Sequence, residues 1–307
     1  MRTTVLVIGS EGQIGTELCE ALSAKGNEVI RADIRIEHAP ERGQYTLDAT
    51  DNAALAQIID AHQIGTVYLM AAMLSATGEK FPEKAWDLNM RSLLNVLNLA
   101  KEKRIDRVFW PSSIAIFGPD TPKEHTPQET VTNPSTVYGI SKRSGELWCA
   151  YYNKVYGVDV RSLRYPGIIS YRTAPGGGTT DYAVEIFRAA NRNEQYESFI
   201  EAHTVTPMIY MSDAIDATLA LMQADAKAIS IRSSYNLGGL HISPEVLADQ
   251  IKRHRPNFQI SYAPDFRQKI ADSWPASIDD SAARNDWGYR ISVGLEALVE
   301  EMLTHCR

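Results

Sequence analysis

The sequence predicts an α/β fold, a doubly wound parallel sheet followed by a smaller mixed C-terminal region. Two observations carry that reading. Short apolar runs rich in β-branched residues alternate with amphipathic helical stretches through the first half of the chain, the pattern of strands buried on both faces by crossover helices. The first run, Thr3 to Ile8, is followed by Gly9-Ser-Glu-Gly12-Gln13-Ile14-Gly15 and a helical stretch that ends at Lys25-Gly26, a strand, glycine turn, helix and glycine stop.

The 307 residues carry a net charge of −7, with 44% hydrophobic and 22% charged residues. That composition suits a globular chain with a sizeable core, and the acidic balance gives nothing to a nucleic-acid surface. Residues 101 to 107 hold several cations, but Glu102 and Asp106 interrupt them, so the cluster reads as a solvated helix end. No apolar run is long enough to span a membrane. The apolar start ends in helix-opening glycines instead of a cleavage site. Cys19, Cys149 and Cys306 are few and far apart, which predicts reduced thiols, a cytoplasmic setting and no zinc site.

The glycine turn is the first functional signal. Gly9 permits the tight turn, Gly12 lets backbone approach a pyrophosphate, and Gly15 lets the helix lie close to its strand, with Gln13 and Ile14 at the helix start facing the phosphates. The spacing is G-x-x-G-x-x-G. Glu28 to Ala32 is the second strand, and Asp33 at its end is placed to accept hydrogen bonds from an adenosine ribose. A carboxylate there repels a 2′-phosphate, which favours NAD over NADP, while the neighbouring Arg31 and Arg35 pull the other way. Asp48, after a third strand from Tyr45, is a candidate for the adenine edge or a turn carboxylate. Asp51-Asn52 caps the helix from Ala53 to Ala61.

Val67 to Met70 is the fourth strand. Ala71 and Ala72 after it leave room for backbone to lie along a cofactor, and Ser75 follows in a loop at the carboxyl edge, where open α/β sheets bind ligands. A helix from Lys84 to Lys103 covers the sheet. The fifth strand, Asp106 to Trp110, delivers Pro111-Ser112-Ser113 to the same rim. A proline-rich loop from Phe117 to Pro134 then leads to a helix carrying Tyr138 and Lys142. Four residues apart, these two share a helical face. A cation beside a phenol favours its charged form, so Lys142 is expected to tune Tyr138 as a base for a substrate alcohol, with a serine hydroxyl, Ser113 first, holding the same oxygen.

Together the Gly9 to Gly15 turn, Ser112-Ser113 ahead of Phe117-Gly118, and Tyr138-x-x-x-Lys142 resemble the extended short-chain dehydrogenase/reductase superfamily. The resemblance covers most of the first 170 residues. It implies a Rossmann domain, catalytic roles for Ser113, Tyr138 and Lys142, a grip by Lys142 on the nicotinamide ribose, and Pro166 and Ile168 against the nicotinamide.

Later motifs are more specific. Arg164-Tyr-Pro-Gly-Ile-Ile-Ser170, the loop Ala174-Pro-Gly-Gly-Gly-Thr179-Thr180-Asp-Tyr182, and Ala271-Asp-Ser-Trp274 through Tyr289 resemble the short-chain type of L-threonine 3-dehydrogenases nearly end to end. That implies oxidation of the L-threonine 3-hydroxyl with NAD, contacts to the amino acid from Ser75, Ser112, Tyr138, Thr179 and Thr180, and closure by Trp274. Asp181 is the candidate for the ammonium, and the glycines before it for a flexible lid. Residues 1–165 are then mainly NAD-binding and 166–307 mainly substrate-binding, with 203–240 partly returning to the Rossmann sheet. Ile209 to Asp213 is the expected return. The helices from Lys84 and from Tyr138 are candidates for a homodimer. The competing readings are a nucleotide-sugar epimerase, dehydratase or reductase, which needs cations such as Arg232 or Arg253 for a diphosphate, and a non-catalytic NAD-sensing regulator.

Overall fold

The structure, a computed structural model, describes residues 3–172 and 176–306. The first two residues of the chain and Ala174-Pro175 at the start of the glycine-rich loop lie outside the described residues. The first half supplies β1 (Thr4–Ile8), β2 (Glu28–Asp33), β3 (Gln44–Thr46), β4 (Thr66–Leu69), β5 (Arg107–Ser113) and β6 (Val160–Tyr165). The second half supplies β7 (Gly167–Ile169), β8 (Tyr196–Ser198), β9 (Thr206–Tyr210), β10 (Tyr235–Asn236), β11 (Leu240–Ile242) and β12 (Ile260–Tyr262). Seven strands in the order β10-β6-β5-β4-β1-β2-β3 form the main sheet, and every pairing in it is parallel.

The helices α1 (Gln13–Ala24), α2 (Asn52–His62), α3 (Ser75–Lys80), α4 (Pro82–Lys101) and α5 (Val137–Tyr156) connect the strands. One apolar cluster packs α2, α4 and α5 onto a face of the sheet, with Leu6, Leu55, Leu93 and Val108 fully buried. Another packs α1 and a later helix, Met211–Gln223, onto the opposite face around Val7, Leu18 and Phe109. Burial on both faces is why the strands read as continuous apolar runs.

Strand order reverses between β1 and β4. At that switch point a parallel sheet opens a crevice beyond its carboxyl ends. Two expectations are corrected here. Residues 209–210 belong to β9, which joins a three-stranded sheet between β11 and β7; Tyr235-Asn236 provides the parallel partner of β6 instead. Apolarity alone does not tell one sheet from the other. Ser75 opens the short helix α3 and is buried, where a loop was expected.

Candidate active site

The phosphate turn is shaped by backbone crowding. Gly9 has φ +87°, and a Cβ there would lie 2.6 Å from the amide nitrogen of Ala71. A Cβ on Gly15 would sit 2.1 Å from the Gly9 carbonyl oxygen, and one on Gly12 3.2 Å from it. The glycines therefore fold the turn back on itself and bring the ends of β1 and β4 together, leaving a cradle that side chains would fill.

Asp33 is buried and tied to the same turn. Its Oδ2 accepts from the Glu11 amide at 3.0 Å, and its Oδ1 from the Arg35 amide at 2.9 Å and Arg35 Nε at 3.2 Å. Arg31 pairs with Glu11 at 2.7 Å. Both arginines expected to weaken the preference for NAD are thus engaged by carboxylates. Asp48 is exposed, and its Oδ1 accepts from the amide and hydroxyl of Thr50 at 2.9 and 2.7 Å.

α5 begins at a Thr136 cap, whose hydroxyl accepts from the Gly139 amide at 3.0 Å. A Cβ on Gly139 would lie 2.1 Å from the Ala115 carbonyl oxygen, so this glycine lets the first turn of α5 press against the backbone just after Ser113. That contact brings Tyr138 to the cavity that Ser113 also lines, near enough for the serine hydroxyl to lower the phenol's pKa. The Ser113 Oγ also accepts from the Ala115 amide at 3.2 Å. Lys142 is buried, donates from Nζ to the Pro111 carbonyl at 2.6 Å, and lies 4.6 Å from the centre of the Trp110 ring and 5.5 Å from that of Tyr138.

Burial dominates the titration of this pair. It pushes the Tyr138 phenol up to about 12 against a partial offset from Ser113. It pulls Lys142 down to about 7, opposed by the charges of Cys149 and Glu146. Desolvation penalises both charged forms, and it is the largest cause for each group.

One cavity of about 150 Å³ collects most of the predicted residues. The sheet rim gives it Ser112, Ser113 and Ala72; α1 gives Gln13 and Ile14, and α3 gives Ser75. Tyr138 and Lys142 line it from α5, with Pro166 and Ile168 beside them. Thr179, Thr180, Asp181 and Trp274 complete its lining. The Thr179 hydroxyl is buried and has no hydrogen-bond partner among the described residues. Asp181 Oδ2 accepts from the amides of Gly177 and Gly178, each at 2.8 Å. Gly9, Gly12, Gly15, Asp33, Asp48 and Ala71 lie outside this cavity.

Sequence reading missed several supporting residues. Asn89 on α4 accepts from the Met73 amide at 2.9 Å and donates to Ser141 at 3.1 Å, joining the turn after β4 to α5. Glu146 and Arg164 form a buried pair behind Ser112. Lys123 donates to the Asp272 and Trp274 carbonyls at 2.9 and 3.2 Å. Only Glu146 left a trace in the sequence, four residues beyond Lys142 on the same helical face.

With the geometry described, similarity to known proteins can be placed on it. An uncharacterised epimerase/dehydratase of Staphylococcus saprophyticus is 46% identical over 97% of this chain and 95% of its own. A GalE-like L-threonine dehydrogenase from Cupriavidus necator, in its holo form, is 52% identical with a TM-score of 0.95, over 98% of this chain and 99% of that one. A monomeric L-threonine 3-dehydrogenase of metagenomic origin is 45% identical with a TM-score of 0.94, over 98% and 97%. The model of the NAD dependent epimerase/dehydratase family matches residues 5–238, and the chain belongs to that family.

Proposed function

We propose that the protein oxidises the 3-hydroxyl of L-threonine to 2-amino-3-ketobutyrate with NAD as the hydride acceptor. The observation that carries this reading is the meeting of two walls in one small cavity. One wall offers Ser113, Tyr138 and Lys142; the other offers the Thr179 hydroxyl, without a partner among the described residues, beside Thr180 and Asp181.

Ser113 holds the substrate hydroxyl oxygen, and Tyr138 is the base for its proton; burial opposes the phenolate, which the positive charge of the oxidised nicotinamide would favour when bound beside it. When bound, NAD would supply the acceptor for the hydride that leaves Cβ as the alcohol becomes a ketone. Gly9, Gly12, Gln13, Ile14 and Gly15 hold the pyrophosphate, Asp33 the adenosine ribose, Asp48 the adenine edge, Ala71 and Ala72 the passage along the cofactor, Lys142 the nicotinamide ribose, and Pro166 and Ile168 the nicotinamide. Ser75, Ser112, Thr179 and Thr180 bind the amino acid, with Trp274 across the mouth. Residues 1–165 are in this reading the cofactor half, and 166–307 the substrate half, with part of 203–240 returning to the main sheet.

Two observations weigh against the alternatives. Arg232 is paired with Asp159 at 2.8 Å, Arg253 is exposed on a late helix, and neither lines the cavity, so among the described residues no arginine there grips a sugar diphosphate. A regulator that only senses NAD has no use for a Tyr–Lys pair aimed into a cavity.

The reading includes a homodimer through α5. Ile140, Leu147, Trp148, Tyr151 and Val155 are all exposed on that helix, with Trp86 on α4. Light scattering decides between dimer and monomer. Three unpaired cysteines support a cytoplasmic setting. The deciding assay follows NADH formation from L-threonine beside D-threonine, L-serine and a panel of nucleotide sugars. Turnover of a sugar with none of L-threonine would sink the proposal.

A further inference from the structure

Glu146 is fully buried on α5, one turn beyond Lys142 and two beyond Tyr138. Its Oε1 accepts from Ser112 Oγ at 2.7 Å and Arg164 Nε at 2.8 Å; its Oε2 accepts from Arg164 Nη2 at 3.0 Å and Arg143 Nη1 at 3.2 Å. Arg164 lies opposite Ser112 in the β5–β6 register and also donates to the Gln128 carbonyl at 2.9 Å and Asn236 Oδ1 at 3.0 Å. Four donors thus converge on one ionised carboxylate, which has only lone pairs to offer. The hydrogen shared between Ser112 and Glu146 must therefore be the serine's.

Ser112 lines the cavity, but its single hydrogen is already committed. What it has left for a ligand is an acceptor oxygen. Ser113 is the reverse: its oxygen takes the Ala115 amide, and its hydrogen is free to point at the Tyr138 oxygen or at a substrate oxygen. Two adjacent serines thus present opposite polarities.

We propose that Glu146 is a positioning residue that turns Ser112 into an acceptor for the ammonium group of the substrate, leaving Ser113 as the hydroxyl donor at the reacting carbon. This rests on the L-threonine reading. Of that molecule's three polar groups, the carboxylate only accepts, the 3-hydroxyl gives its proton to Tyr138, and the ammonium only donates. Ser112 suits the last and opposes the first.

The test uses the NADH-loaded enzyme and two probes, L-2-aminobutyrate, which has the ammonium but no 3-hydroxyl, and butyrate, which has neither. Calorimetry reads their binding without turnover. Ser112→Ala keeps the Glu146–Arg164 pair intact and is expected to weaken L-2-aminobutyrate roughly ten- to a hundredfold, the loss of a hydrogen bond to a charged group, while butyrate is unchanged. The KM for L-threonine should rise by a similar factor, with a much smaller fall in kcat. Ser112→Thr, which keeps the hydroxyl, should restore most of the affinity. Glu146→Gln should weaken L-2-aminobutyrate too, and add nothing in the Ser112→Ala background if it acts through Ser112.

Equal weakening of both probes, a kcat loss at constant KM, or an ammonium effect in Asp181→Asn with none in Ser112→Ala would overturn the inference. A wild type that binds L-2-aminobutyrate but does not oxidise L-threonine would sink the substrate reading instead, and the probe affinities would still decide the role of Ser112.

Discussion

The two walls of the cavity are built by opposite means. The rim wall is made of strand ends and helix starts: Gly9, Ala71, Ser112 and Ser113 leave parallel strands, and Tyr138 and Lys142 are fixed by helix phase and by Gly139 against Ala115. The far wall is pinned by contacts between distant segments. Lys123 reaches the Asp272 and Trp274 carbonyls, the His125 amide donates to Ser277 Oγ at 2.7 Å, and Thr126 bridges to Ile278. In the proposed reading, regular backbone positions the proton-transfer chemistry, and side chains bonded to irregular backbone position the substrate. Disturbing the rim should therefore cost catalysis or cofactor binding, and disturbing the far wall should cost substrate affinity.

The sharpest break is Tyr138→Phe. Loss of an acid/base group typically costs 10² to 10⁴ in rate, roughly, and we expect kcat to fall by that factor with NADH affinity held within about threefold. Turnover close to wild type would remove Tyr138 from the chemistry and with it the contrast between the walls.

Gly15→Ala attacks the rim through its backbone. A Cβ 2.1 Å from the Gly9 carbonyl cannot be relieved by a side-chain rotation, so the turn must open. We expect a loss of about 3 kcal/mol in stability and an NADH Kd raised more than about tenfold in titration by fluorescence. Gly12→Ala, with 3.2 Å to the same oxygen, should be milder. Equal effects at the two positions would contradict the crowding described.

Lys142 gives a pH-dependent break. Burial lowers it to about 7 from an ordinary 10.5, so between those values the unfolded chain holds a proton that the folded chain lacks. Stability then rises with pH across that window, by up to about 1.4 kcal/mol per unit from this group. Tyr138, raised to about 12 from an ordinary 10, has the opposite sign but acts only above pH 10. Relative to wild type, Lys142→Met should therefore be most stabilised near pH 7, with the advantage shrinking toward pH 10 in urea melts. A constant difference would mean that Lys142 stays charged.

Legibility in the sequence follows the same division. The sheet, the glycine turn and the Tyr138–Lys142 face were readable because each is a local pattern of period, spacing or punctuation. β9 was assigned to the main sheet because an apolar run carries no label for its partner strand. Ser75 read as a loop residue because α3 is six residues long and Leu74 ahead of it contributes no side-chain cap. Arg164 and Lys123 were invisible as supports: their partners lie on other elements, 18 residues away for Glu146 and 151 for Trp274, and no local rule joins them. Thr179 stands out in the sequence as a candidate helix cap and through its resemblance to a known loop; its buried hydroxyl, without a partner among the described residues, is a property of the fold.

Lys123 offers the mildest test and the most direct one of the far wall. Its ammonium is half-buried, and desolvation lowers its pKa against the opposing charge of Asp272, so it stays in place because two carbonyls need a donor. Lys123→Met keeps the length of the stem and removes the two hydrogen bonds. Water can reach the Asp272 carbonyl, so the stability loss should be only about 1 kcal/mol. The backbone at Trp274 is then held less firmly, and Trp274 both lines the cavity and packs in the apolar cluster that Tyr138 borders. The KM for L-threonine should accordingly rise a few-fold, with kcat and NADH affinity nearly unchanged. A fall in kcat at constant KM would show that the far wall also governs the reacting geometry, and that the two walls are not separable.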